Sequence, residues 1–464
     1  MDEVEVQTTH AVSARSRPAR WSTAHARRVL WRGGFGGTPS ELSHWGGRSR
    51  DATVRWLVHG GRGPHGTRAM VGPLPRVDGK RLDPVNEWGH DRLWWLDRMV
   101  RSQRPLVERM TLFWHDHFAT AGQDTPLMLA QNRKLRAGAL GSFPDLLATV
   151  TQDPAMQAFL SLVDSNKEEP NENFARELME LFTLGADAGY SERDVREAAR
   201  ALTGFRGIWR QGQPLQTHYV PEAHDDGTKT ILGQTGRWDW RDVLRIVVAH
   251  PAHAGFLVDK LWLYLVGDEP PSRATRSALA KTYVRSGHRI APVVEDILTS
   301  PALYRGLDRP AMVKWPVVYI AGTLKQVGRP IDTSAWSWLQ DMMGQGLFNP
   351  PSVAGWDWDA AWMSTASMHS RFVAATYVCS EAPVEVREHG AKPAWSAAEH
   401  VRRARRATGD PWTSRATDAQ LQRIAREFLL EGKDWRGKTP EYIARVTQSA
   451  LRHLLLSGPD AQLC

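Results

Sequence analysis

Cysteine is nearly absent: Cys379 and Cys464 are the only two in 464 residues. That excludes a disulfide framework and a cysteine-rich zinc site. No stretch reaches the roughly 18 consecutive apolar residues that a membrane-crossing helix needs, so no membrane span is expected. The opening MDEVEVQTTHAVSARSRPARW carries charges and a proline but no apolar core of the kind an export signal has, and a cytoplasmic location is the expectation. Alternation of the β type is also scarce. Charge is plentiful but mixed: 59 Lys and Arg stand against 51 Asp and Glu, a net +8. The basic residues are scattered among acidic ones rather than gathered in a stripe, which favours a solvated arginine-rich surface over nucleic-acid binding.

Helical periodicity, by contrast, runs through most of the chain and organises it around residues 171–205. Phe174, Leu178, Leu181 and Phe182 recur at the i, i+4, i+7, i+8 spacing of a buried helical stripe. Asn173, Glu177 and Glu180 share the i, i+4, i+7 spacing beside it, an amide and two carboxylates in a row along the edge of the apolar face, within reach of Arg176. Gly185 is the expected stop. Ser191 then caps a second helix with Asp194 at its third position, and Gly204 ends it.

Earlier in the chain, Ser22 is placed to cap a helix that stops at Gly33-Gly34, and Thr38-Pro39-Ser40-Glu41 reads as a capping box with proline in the first turn. Residues 88–120 read as two helices broken near Pro105. In the second, His115 and His117 lie about 200° apart on a regular helix, so they cannot chelate one metal from a straight one. At a distorted end they can, or one faces a site while the other is a packed, hydrogen-bonded histidine. Four segments, LLATVTQDPAM, VLRIVVAHPAH, VVEDILTSPAL and ALRHLLLSGPDA, share a helix stopped at proline, which suggests stacked helical hairpins.

A single hairpin is expected in HYVPEAHDDGTKTILG, with Asp226-Gly227 as its turn and His224, Asp225 and Lys229 around it. Asp239 and Asp242 open the next helix, which Pro251 interrupts. Of 21 tryptophans, most suit core positions; Trp356, Trp358 and Trp362, in and after the Asn349-Pro350-Pro351 loop, could instead line a pocket for a sugar or another flat ligand. The expected fold is all-α, with residues 1–20 a disordered basic tail, 21–382 a helical core, 383–412 a mobile insertion, and 413–464 helices packing on the core.

Two classes of function fit these residues. In the first, an enzyme draws on Glu177, Glu180, His117 and Asp225 as catalytic groups, with Asn173, Arg176, Lys229 and Trp356 binding ligand. Its metal ligands would come from His115, His117, Glu177, Glu180 and His224, a mixed imidazole and carboxylate set suited to zinc, manganese or iron. Without a metal, the same groups serve as general acid and base. In the second, a non-catalytic binding or assembly protein uses the polar row only for structure: Glu177 and Glu180 pair with Arg176, Arg196 or Arg200, and Asn171 or Asn173 caps a helix.

Several ordered segments carry a resemblance. RRVLWRGGFG, FWHDHF, NENFARELMELFTLG with GYSERDVREAARALTGF, HDDGTKTILG, HPAHAGFLVDKLW and PPSVAGWDW together resemble the bacterial family catalogued as domain of unknown function 1800, over residues 24–459. The resemblance implies no general biochemical role. It implies an export signal in many members, which the opening residues do not lead one to expect here, and Asn as often as Asp at position 116. It also suggests a protein partner of phosphatase-like fold, since members are often encoded beside such a family.

Overall fold

The computed structural model describes residues 20–60, 72–210, 212–380, 395–431 and 437–464. The described chain contains twenty α-helices and three two-stranded antiparallel hairpins, so it is mostly helical, as its periodicity implies. The expected tail, apart from Arg20, and residues 383–394 of the expected insertion lie outside the described residues.

The helix Pro105–His117 runs through the middle of the core. Pro105 opens it, where a missing N–H costs nothing, and every residue from Glu108 to His117 is buried. A helix buried all round must find partners for its polar side chains. Glu108 has them: it accepts from Trp95 Nε1 at 3.2 Å, Arg98 Nε at 3.0 Å and Arg136 Nε at 2.8 Å, which ties the helices His90–Arg101 and Thr125–Gly138 to the central one. Tyr264, on the helix Pro251–Leu265, packs on Phe113 and donates its hydroxyl to the Arg109 carbonyl at 2.9 Å.

The proline-stopped segments are joints. His250 and Ser300 each end one helix, and Asp153 follows one by two residues; all three accept backbone N–H groups of the next helix, whose first residue is Pro154, Pro251 or Pro301. The chain therefore turns within two residues and both helix ends are satisfied. The capping boxes at Thr38, Ser191 and Asp239 all form. Ser22 differs, because its hydroxyl meets His25 Nδ1 at 2.8 Å rather than a backbone N–H.

Two expectations need correction. Among the described residues there are three hairpins rather than one, pairing Arg76–Val77 with Lys80–Arg81, Phe205–Ile208 with Gln216–Tyr219, and Lys229–Ile231 with Gln234–Gly236. Asp226-Gly227 is not a hairpin tip. Asp225 Oδ1 accepts the Gly227 N–H at 2.9 Å and makes a side-chain turn there, while the tip is Leu232-Gly233, both at positive φ as a two-residue twisted turn requires. The expected insertion is helical in its second part: Ala397–Ala407 packs Val401 and Ala404 against Leu421, Ala425, Leu451 and Leu455 in a small core of its own.

Candidate functional site

The stretch 173–184 is helical but changes gauge. After one α-turn, Asn173–Glu177, the chain widens into a π-helix over Leu178–Thr183. Such turns loosen the regular bonding ladder and recur at functional sites. Here the carbonyls of Phe182 and Thr183 each accept from a buried histidine: His117 Nε2 at 3.0 Å and His253 Nδ1 at 2.9 Å. His253 uses its other nitrogen on the Tyr283 hydroxyl at 2.9 Å.

Each residue of the His115-Asp116-His117 run grips a different piece of backbone. His115 Nε2 accepts the Phe348 N–H at 3.1 Å, and Asp116 Oδ1 accepts the Trp356 N–H at 2.8 Å. The proline-rich loop is thus pinned at both ends to the last turn of the central helix, and His117 pins the π-turn on the opposite side. The 200° separation of the two histidines explains the division. Phe348 sits at φ +65° and Gly355 at φ +86°. A β-carbon on Gly355 would stand 2.3 Å from Asp116 Oδ1, so only glycine lets the loop approach.

Burial sets the protonation of these groups. It lowers both His115 and His117 to about 3, so both rings are neutral. His117 donates from Nε2, which leaves the lone pair on Nδ1 free, and that buried atom has no hydrogen-bond partner. Burial raises Asp116 to about 7, against the Trp356 hydrogen bond and the charge of Lys260. Lys260, half-buried on the helix Pro251–Leu265, is lowered by burial, with Asp116 opposing the shift. It also lowers His117 and lies 5.6 Å from the Phe256 ring centroid, but makes no ion pair or hydrogen bond among the described residues. Asp116, His117 and Lys260 therefore share one electrostatic environment without neutralising each other by contact.

The other sequence candidates are distributed differently. Glu177 and Glu180 are half-buried and accept no hydrogen bond or ion pair among the described residues; burial, then the neighbouring Glu180 charge, raises Glu177. Arg176 does not bond to them. It bridges Glu172 at 3.1 Å and Glu192 at 2.8 Å, fastening the next helix's start. Nor does Arg200, which holds Glu197 and Asp225. Asn173 is exposed, and its N–H is capped by Asn171 Oδ1 at 2.9 Å.

Around the turn, His224 Nδ1 meets the Thr203 carbonyl at 3.0 Å and Asp225 takes Arg200 Nε at 2.7 Å. Lys229 is buried and donates to the carbonyls of Asp225, Gly227 and Trp238, so its ammonium serves the turn. Trp356 is buried against His115, with ring centroids 5.4 Å apart. The FWHDHF segment meets the π-turn directly. His115, His117, Glu177, Glu180 and His224 do not assemble as one ligand set: among the described residues no group of three or more His, Cys, Asp or Glu could hold a metal ion.

A family model described as "Protein of unknown function (DUF1800)" matches residues 28–463. The chain belongs to DUF1800. Comparison with curated proteins and with solved structures finds no match. In this DUF1800 chain the sequence reading missed Lys260 and passed over Asp116 as a candidate, although both lie in segments that carry the resemblance, HPAHAGFLVDKLW and FWHDHF. The signal for Lys260 was a cation in a mostly apolar helical run, beside an Asp259 that is taken by Arg276. Among the described residues no helix is long and apolar enough to cross a membrane.

Proposed function

We propose that this DUF1800 chain is an acid–base enzyme whose site is formed by Asp116, Lys260 and His117. The observation that carries the reading is three unlike proton-carrying groups from two helices, brought together where none is used up in an ion pair. Asp116, held near neutrality by burial, moves the proton; the Lys260 ammonium stabilises negative charge developing on the substrate; His117 Nδ1 offers a second, neutral acceptor. Polar groups left in this state inside an apolar setting are candidates for a working site.

Asn at position 116, which the family resemblance admits, would keep the Trp356 bond and lose the transferable proton, so Asp116→Asn separates the latch from the chemistry. The test is a panel of chromogenic esters, phosphoesters and glycosides, at pH 5–9, against the wild type, Asp116→Asn and Lys260→Met. The wild type should exceed both variants by about 10²- to 10⁴-fold on one substrate class, with melting temperatures within a few degrees. A wild type no faster than its variants on every class overturns the reading.

A second reading, a non-catalytic binding protein, is favoured by Glu177 and Glu180, which carry no cationic partner among the described residues. On that reading a basic surface of a partner protein supplies the missing charge. The partner of phosphatase-like fold suggested by the family resemblance belongs here.

A further inference from the structure

A cavity of about 700 Å³ opens on another part of the molecule, between the end of the Pro251–Leu265 helix, the 302–312 segment and the start of the Asp359–Met363 turn. Its volume is that of a small-molecule site. Trp262, Trp315 and Trp358 line it. The first two are almost fully buried and form wall; Trp358 is half-exposed. Trp358 is also held in place, edge-to-face with Trp315 at 4.8 Å and with Tyr264 at 5.8 Å. Of the three tryptophans singled out in the sequence, it is the one with a ring available to a ligand, since Trp356 and Trp362 are buried.

The charges around this ring are unbalanced in a specific way. Arg28, Arg32, Arg305 and Arg309 line the cavity against Asp268, Glu269 and Asp359. Asp359 is partly occupied, its Oδ1 accepting the Val313 N–H at 2.9 Å. Arg305 and Arg309 are exposed, and their ion pairs are long ones, 3.6 Å to Glu269 and 3.8 Å to the adjacent Asp308, which are worth little in water. Arg32 is 2 % exposed; its terminal nitrogens bond to main-chain oxygens of Val266 and Cys464, while its Nε is buried without a partner.

Behind Tyr264, with its guanidinium 4.6 Å from that ring's centroid, Arg109 is 1 % exposed and donates no hydrogen bond among the described residues, two of its nitrogens being buried and unpartnered there. No Asp or Glu pairs with Arg28, Arg32 or Arg109 among the described residues. Arg32 is partly balanced by the opposite charges of Cys464 and Asp359, without an ion pair to either side chain, whereas Arg109 has only the Tyr264 ring beside it. A buried guanidinium without an anion is costly, and Arg109 behind the wall makes the cavity a place where negative charge is stabilised.

We infer that this cavity binds an anionic small molecule with a flat ring, the ring stacking on Trp358 and its phosphate or carboxylate drawn in by Arg305, Arg309 and the field of Arg32. The site is separate from Asp116 and Lys260 and does not depend on the acid–base reading.

Calorimetric titration of the full chain tests it. The probes are 4-nitrophenyl phosphate (ring and charge), inorganic phosphate (charge alone), 4-nitrophenyl glucoside (ring without charge) and glucose 6-phosphate, the last distinguishing a sugar ring from an aromatic one. At least one of the two ring phosphates should bind saturably, at least tenfold tighter than inorganic phosphate and than the glucoside. Trp358→Ala and, separately, Arg305→Ala with Arg309→Ala should each weaken it at least tenfold; both sets touch half-exposed or exposed side chains, so the fold should survive, as an unchanged melt would show. Raising the salt concentration should weaken the ring phosphate and leave the glucoside unaffected. No saturable binding of either ring phosphate, equal binding of the neutral glucoside, or full binding by folded variants overturns the inference.

Discussion

Gly355→Ala would set a methyl group 2.3 Å from Asp116 Oδ1 and force an ordinary residue to φ +86°. Left-handed strain costs about 1–2 kcal/mol and overpacking about 1–3, so a urea melt should show a loss of about 2–5 kcal/mol, larger than alanine at an open glycine such as Gly189, whose φ is also positive. The variant should also release Asp116 toward water, lowering its pKa from about 7. At this scale the sequence was a partial guide. A polar triplet at the end of an apolar helix announced that His115, Asp116 and His117 needed partners. The partners themselves are backbone groups 233, 240 and 65 residues away, and main-chain amides and carbonyls leave no mark in a pattern of side chains.

Among the elements, the π-turn Leu178–Thr183 is the one whose geometry carries most consequence. Its displaced carbonyls are held by His117 and His253, so His253→Phe should leave the Thr183 carbonyl and the Tyr283 hydroxyl unpartnered in the core. Each costs about 1–3 kcal/mol when stranded, and a denaturant titration should register a loss of about 2–5 kcal/mol with little change in helical circular dichroism. A helix over 173–184 was legible from the stripe Phe174, Leu178, Leu181, Phe182, but the period of 3.6 was assumed, and one extra residue per turn hardly disturbs the stripe. Asp226-Gly227 misled for a related reason. A strong turn dipeptide states that the chain bends, not that strands flank it, and Arg200 gripping Asp225 from another helix decides which bend forms.

For the whole molecule, the buried titratable groups set the response to pH. His115 and His117 are lowered to about 3 and His253 and His400 to about 4, so the stability of keeping them neutral is present above pH 6.5 and is lost as pH falls toward 3. Asp116 works the other way: raised to about 7, it favours the folded state at low pH and loses that contribution as pH rises from about 4 through 7. Between pH 4 and 6.5 the unfolded chain therefore binds four more protons at these histidines and one fewer at the aspartate. The net of three corresponds to stability rising by at most about 4.1 kcal/mol per pH unit, measurable as the denaturant midpoint against pH; a flat profile would show these histidines to be hydrated. The helical class was readable from periodicity throughout, whereas the helix Ala397–Ala407 was not, because its alanine and arginine content resembles a solvated linker until the apolar stripe of the last two helices is laid beside it. The pinned loop has one further consequence. Between Phe348 and Trp356 the chain hangs from two backbone amides, and the side chains of Pro351, Ser352 and Ala354 face outward. The frame thus makes little demand on these three positions, while the buried Pro350, the core-packed Val353 and Gly355 are fixed by it, so the side chains at 351, 352 and 354 could be exchanged, altering what the surface presents while the helices beneath stay in register.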